Sequence, residues 1–179
     1  FIKSIFHADN HEPINNEVRA CDVANVVPRH PLAGPTDIVM HVRLDDFNHE
    51  GHNTEVVHYQ HYMELLDTHV HSGTKVIIVT DALHHNHEKN YMAMFDKYNP
   101  IYVQQTALED FKYLMLANRV ICSNSTFSWL AAFLGNAESV WVLNNNFHGG
   151  NQCLQRIGDV STYVEITNLD IRTGKVYKR

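Results

Sequence analysis

Three short stretches carry side chains suited to holding a phosphorylated ligand. Arg43 closes the apolar run Asp37-Ile-Val-Met-His-Val-Arg43, Asp81 closes Lys75-Val-Ile-Ile-Val-Thr-Asp81, and Arg119-Val-Ile-Cys-Ser-Asn124 passes straight into Ser125-Thr126-Phe127-Ser128. A guanidinium offers a planar fork of donors that matches phosphate oxygens. The first turn of a helix adds free backbone N–H groups and the positive end of its dipole. Hydroxyls on Ser125, Thr126 and Ser128 extend that donor set, with Asn124 beside them, and the Asp81 carboxylate can accept from a base or ribose. Each feature also has a plainer use. A Ser-Thr stretch opening a helix is its cap, Asp81 can cap the next helix, and Arg43 can be satisfied by an ion pair with Asp45, Asp46 or Asp81.

The elements that position these residues follow from hydrophobic pattern. The three runs above, with Ile101-Tyr-Val-Gln-Gln105 and Ser139-Val-Trp-Val-Leu-Asn144, read as strands buried on both faces. Helical spacing lies between them: Tyr59, Tyr62, Met63, Leu66 and Val70; Tyr91, Met94, Phe95 and Tyr98; Leu108, Phe111 and Met115 behind a Thr106-to-Glu109 capping box; and Ser125 through Phe133, with Gly135 at the stop. Strands alternating with helices, without hairpin signals, predict an α/β, doubly wound, mostly parallel Rossmann-like sheet in the order 3-2-1-4-5. Ligands of such sheets sit beyond the carboxyl ends of the strands, where the winding reverses. Arg43, Asp81 and the Ser125 helix start all fall at those ends.

Composition narrows the partners. The 179 residues carry 14 Lys and Arg against 20 Asp and Glu, a net charge of -6, which disfavours a nucleic-acid or anionic-membrane surface. Any anion must therefore be caught locally. No apolar run approaches the roughly eighteen residues of a membrane span, and the amino terminus lacks signal-peptide order. Phe1 opens the chain without an initiator Met, so it reads as an excised piece. Cys21, Cys122 and Cys153 form no metal spacing and leave an odd thiol, which fits a reducing compartment such as the cytoplasm; a Golgi or other lumenal site with a removed anchor stays open. Residues 1–36, broken by Pro13, Pro28, Pro31, Gly34 and Pro35, read as a lead-in or the remnant of a preceding domain. Residues 37–150 read as the binding domain, and 151–179 as a tail packing on it with a weak strand at Tyr163 to Ile166.

At the chemistry-bearing residues the chain resembles a family. His41-Val-Arg-Leu-Asp-Asp-Phe47 is similar to the His-x-Arg-Arg-x-Asp-Tyr motif of the α1,2-, α1,6- and protein O-fucosyltransferases, and Asn124-Ser-Thr-Phe-Ser-Trp129 to a helix start in glycosyltransferase family 11. Val79-Thr-Asp81 resembles an α1,6-fucosyltransferase segment. The resemblance covers residues 37–144 and implies the donor-binding, carboxyl-terminal half of a GT-B enzyme. That enzyme would be inverting and metal-independent, moving a sugar from a GDP-sugar, GDP-fucose foremost, to a glycan hydroxyl, with an acceptor-binding domain preceding this one. It further implies that His41 holds guanine or ribose, Arg43 the β-phosphate, Asp81 guanine, and Ser125 and Thr126 the diphosphate. The motif's second Arg is Leu44 here, followed by Asp45. Candidates for the base are Glu50, Asp45 and Asp46, on the loop leaving the first strand. The alternative is a non-catalytic lobe kept for contacts with a neighbouring domain.

Other signals lead elsewhere. His49, His52, His58, His61 and His84-His85-Asn-His87 suggest zinc, but no carboxylate or thiol completes a spacing, so the histidines read as exposed loop residues and no metal is expected. Cys122, inside a strand, reads as an inert thiol. No Gly-x-Ser-x-Gly elbow surrounds Ser125, and no glycine after the first strand admits a dinucleotide. Trp129, Phe133 and Leu134 are expected to pack their helix on the sheet.

Overall fold

A computed structural model describes residues 25–44, 56–81, 83–144 and 161–177. In chain order the elements are β1 (Ile38–Val42), β2 (Val56–Val57), α1 (Tyr59–His69), β3 (Val76–Thr80), α2 (Asn86–Ala93), β4 (Ile101–Val103), α3 (Ala107–Met115), β5 (Arg119–Cys122), α4 (Thr126–Leu134), β6 (Ser139–Asn144), β7 (Ser161–Glu165), β8 (Asn168–Leu169) and β9 (Val176–Tyr177). Six strands form one sheet in the order β4-β3-β1-β5-β6-β7, with every pairing parallel. The first five reproduce the expected 3-2-1-4-5 winding, and β7 extends it by one. The fold is thus a doubly wound α/β domain.

Strand alternation sorts the core into two layers. Ile38, Met40, Val42 and Leu44 face α1 and α2 with Tyr62, Leu66, Tyr91 and Phe95, whereas Val39, Ile77, Val79 and Val120 face α3 and α4 with Phe111, Leu114, Ala131 and Ala132. Every residue of β1 and β3 is buried, which is why these strands read as unbroken apolar runs.

Several expectations are corrected. The second helix begins at Asn86 and stops at Ala93; Tyr98 lies in a separate 3-10 turn, Asp96–Tyr98. β4 ends at Val103, freeing Gln104 and Gln105. A second, antiparallel sheet, β2-β8-β9, has no periodic signature because two of its strands are two-residue pairings and the third, β8, is equally short. His58 and His61 are not exposed loop residues. His58 caps α1 by accepting from the Gln60 N–H at 3.2 Å, and His61 Nε2 accepts the Thr167 N–H at 2.9 Å. Burial lowers both imidazole pKa values, which preserves those acceptor roles.

α4 holds no charged side chain, yet Phe133 is 51% and Leu134 52% exposed. Ser128, Ala131 and Ala132 face the sheet instead, because only small residues fit the close approach there. Gly135 ends the helix with ordinary negative φ, so its lack of a side chain serves packing: a Cβ there would collide with the Met115 carbonyl oxygen at the end of α3. Gly135→Ala is expected to cost about 1–3 kcal/mol as α3 and α4 are forced apart, read as a lowered thermal midpoint. An unchanged midpoint would show that the helix ends separate freely.

Candidate nucleotide-binding edge

The site is built where β1, β3, β4 and β5 end together. Val42 pairs with Thr80 in the β1–β3 register, so the next residues, Arg43 and Asp81, lie level. Arg43 Nε stands 3.8 Å from Asp81 Oδ2, with the two side chains 28% and 31% exposed. This is an ion pair of half-open groups, not a sealed one, so an incoming anion can compete for the guanidinium. On the other side of β1, Met40 pairs with Ile121; continuing that register brings Arg43 level with Asn124, one residue before the α4 cap. Arg43 therefore stands between Asp81 and the start of α4. The ion pair with Asp81, one of the plainer uses expected of Arg43, is present.

His41 belongs to the same face as Val39 and is only 3% exposed. Its Nδ1 lies 2.8 Å from Ser123 Oγ across the β1–β5 boundary, and its ring sits 5.5 Å from that of Phe127 in α4. Tyr62 donates to its carbonyl oxygen from the opposite face.

The hydroxyls divide by role. Ser125 is the α4 cap, its oxygen accepting the Phe127 N–H at 3.3 Å. Thr126 is exposed at the helix start, and Asn124 is buried beside it. Ser128 is fully buried: its hydroxyl donates to the Ser125 carbonyl at 3.3 Å and lies 3.5 Å from Ser123 Oγ, so it braces the site from beneath. Asp46, Glu50 and Asp45 lie outside the described residues. Leu44 is 1% exposed in the α1–α2 layer, facing away from Arg43.

Sequence reasoning missed the contribution of β4 and α3. Gln104 Nε2 donates to the Asp81 carbonyl at 3.0 Å, and Gln105 Oε1 accepts the backbone N–H groups of Arg29 and His30. Asp110, in the first turn of α3, feels both Asp81 and Glu109. Burial, chiefly, with those two like charges pushes its carboxyl up to about 6. Glu109 moves the opposite way, held at about 2 by the Thr106 hydroxyl and N–H and then by Arg29, whose fork meets it at 2.9 Å twice. The rule that selected Arg43 and Asp81 applies equally to the exit of β4, and the Thr106 capping box already marked Asp110 as lying one residue beyond it. Cys122 is buried and its thiol pushed up to about 12, an inert hydrophobe as expected. Among the described residues no three His, Cys, Asp or Glu side chains cluster to hold a metal, and no helix is long and apolar enough to cross a membrane.

A parallel, doubly wound sheet flanked by helices, with Arg43 and a helix start at its carboxyl edge, defines a Rossmann-like α/β domain. A family model described as glycosyl transferase family 11 matches residues 6–156. The chain belongs to glycosyl transferase family 11 and so to the fucosyltransferase superfamily. Comparison with curated proteins and with solved structures finds no match.

Proposed function

We propose that this domain is the donor-binding half of a GT-B fucosyltransferase, taking a GDP-sugar, GDP-fucose foremost, and passing the sugar with inversion to a glycan hydroxyl. The observation that carries this reading is Arg43 set between Asp81 and the start of α4 at one end of the sheet. Departure of GDP builds negative charge on the β-phosphate. The Arg43 fork and the α4 dipole lie where they can meet that charge, so they stabilise the transition state more than the bound donor. With a fixed cation in that role the transfer needs no divalent metal, and the absence of any Asp-x-Asp sequence supports this. Asp81 and Asp110 supply acceptors for the N–H edge of guanine, and His41 adds a contact to ribose or base. Thr126 and the first N–H groups of α4 hold the diphosphate. The base that takes the acceptor's proton is Glu50, Asp46 or Asp45, and a preceding acceptor-binding domain completes the active site.

Leu44 does not weaken this reading. An arginine side chain at position 44 would leave from the opposite face of β1, away from the phosphate side.

Calorimetry with GDP tests the proposal. Saturable binding is expected, weakened in Asp81→Ala, and stronger than for UDP. Because an ionised carboxylate only accepts hydrogen bonds, GDP affinity should rise as pH increases through about 6, where Asp110 loses its proton. Asp110→Asn should flatten that profile. The stability effect has the opposite sign: a raised carboxyl pKa favours the native state below the ordinary carboxylate range and loses that advantage as pH climbs past 6, so the variant should be relatively more stable at pH 7–8. Absence of binding to GDP, UDP and their sugars would reject the proposal.

A further inference from the structure

A row of side chains crosses the carboxyl edge of the sheet. The β1–β3 register puts Arg43 level with Asp81, and Val79 pairs with Val103, so continuing the β3–β4 register brings Gln105 level with Asp81 on the same face. Gln105 also gathers distant chain. Its Oε1 accepts the Arg29 N–H at 2.6 Å and the His30 N–H at 3.2 Å, 76 and 75 residues away in sequence. That segment is held on α3 by the Tyr113 hydroxyl, which donates to the Pro31 carbonyl at 2.9 Å, and by the Arg29 fork on Glu109. A backbone N–H only donates, so the contacts to residues 29 and 30 fix which end of the amide is oxygen. The NH2 end then meets Asp110, donating to its Oδ1 at 3.4 Å, and the Gln105 backbone N–H joins it on the same carboxyl. Asp110 is partly exposed in the first turn of α3. Burial disfavours its charge and the carboxylates of Asp81, at the end of β3, and Glu109, on its own helix, repel it. The nearby cations are engaged elsewhere: Arg29 with Glu109, Arg43 with Asp81. The amide of Gln105 is what steadies the ionised form.

We propose that Gln105 is a positioning residue: oriented by the backbone of residues 29 and 30, its amide holds the Asp110 carboxylate as an acceptor for the N–H edge of the nucleobase. The nucleobase half of this inference rests on the nucleotide-sugar reading above; the Gln105–Asp110 half stands on the hydrogen bonds alone. An ionised carboxylate matches guanine, whose ring N–H and amino group donate side by side, and rejects a ring nitrogen that only accepts, as adenine presents there. The segment before β1 thereby takes part in reading the base, through one side chain that touches both.

The full chain tests this by 13C spectra of the aspartate carboxyls, Asp110 being assigned by its loss in Asp110→Asn, together with calorimetry using GDP. In wild type the Asp110 carboxyl should titrate with a midpoint of about 6. Gln105→Met keeps the bulk and loses the donor, so the ionised form is less well held and the midpoint should rise by about half to one pH unit. GDP binding at about pH 5 should then weaken roughly three- to tenfold, the loss fading once pH passes both midpoints. An unmoved or lowered midpoint in Gln105→Met overturns the positioning role. A raised midpoint with GDP affinity unchanged, or lowered equally at every pH, overturns the nucleobase half only. Failure of wild type to bind GDP rejects the nucleotide reading while the carboxyl spectra still decide the role of Gln105. Should Gln105→Met fail to fold, the wild-type Gln105 side-chain amide signals, assigned by their loss in Gln105→Glu, carry the decision. They should move with pH through the Asp110 midpoint, and signals that stay flat overturn the proposal.

Discussion

Arg43→Ala is expected to weaken GDP binding by about 2–4 kcal/mol, roughly 30- to 1,000-fold, measured by calorimetry at fixed salt. Two effects act in the same direction. The fork that would meet the pyrophosphate disappears, and Asp81, whose carboxylate stands 3.8 Å from that fork, is left as a negative charge at the mouth of an anion site. Arg43→Lys keeps the charge and loses the planar geometry, so it should recover only part of the affinity. In transfer assays the larger loss should fall on kcat, because the charge Arg43 meets grows as the sugar departs. Asp81→Ala in the Arg43→Ala background is the informative double variant: the unpaired negative charge goes together with the guanine acceptor, so the further loss should be smaller than the loss Asp81→Ala causes in wild type. Wild-type affinity in Arg43→Ala would remove the arginine from the site altogether.

The readable parts of this protein were those where one force dominated. β1 and β3 are buried along their whole length, so an uninterrupted apolar run could mean little else, and their carboxyl ends located Arg43 and Asp81 without any side-chain contact being known. The capping box at Thr106 was legible because it is local, satisfied within four residues of chain. What escaped depended on distant pairing. The β2-β8-β9 sheet joins residues more than a hundred positions apart through strands too short for periodicity, and His58 and His61 gained their partner in Thr167 only through it. Phe133 and Leu134 are misplaced for a related reason: α4 carries no charged side chain to mark its outer side, and its buried face is made of the small residues Ser128, Ala131 and Ala132 and not of its large apolar ones. Asp110 was visible as a residue but not as a neighbour of Asp81, since that proximity arises from the order of β4 and β3.

Leu44 is where sequence and structure pull apart most usefully. Motif comparison alone makes it a lost arginine and so a weakened phosphate site. The fold places it among Met40, Val42, Tyr62 and Leu66 at 1% exposure, on the far side of β1 from His41. The two views predict opposite results for Leu44→Arg. If the position served the phosphate, the variant would bind GDP more tightly and keep its stability. Facing the core, it should instead bury an uncompensated charge at a cost of about 3–5 kcal/mol. For a chain of this size that corresponds to a thermal midpoint lower by roughly 6–20 °C, while the folded fraction keeps wild-type affinity for GDP. Leu44→Met, close in volume and apolar, should cost under about 1.5 kcal/mol and serves as the packing control. A stable Leu44→Arg protein with raised affinity would move this side chain to the ligand face and reopen the charge distribution around Arg43.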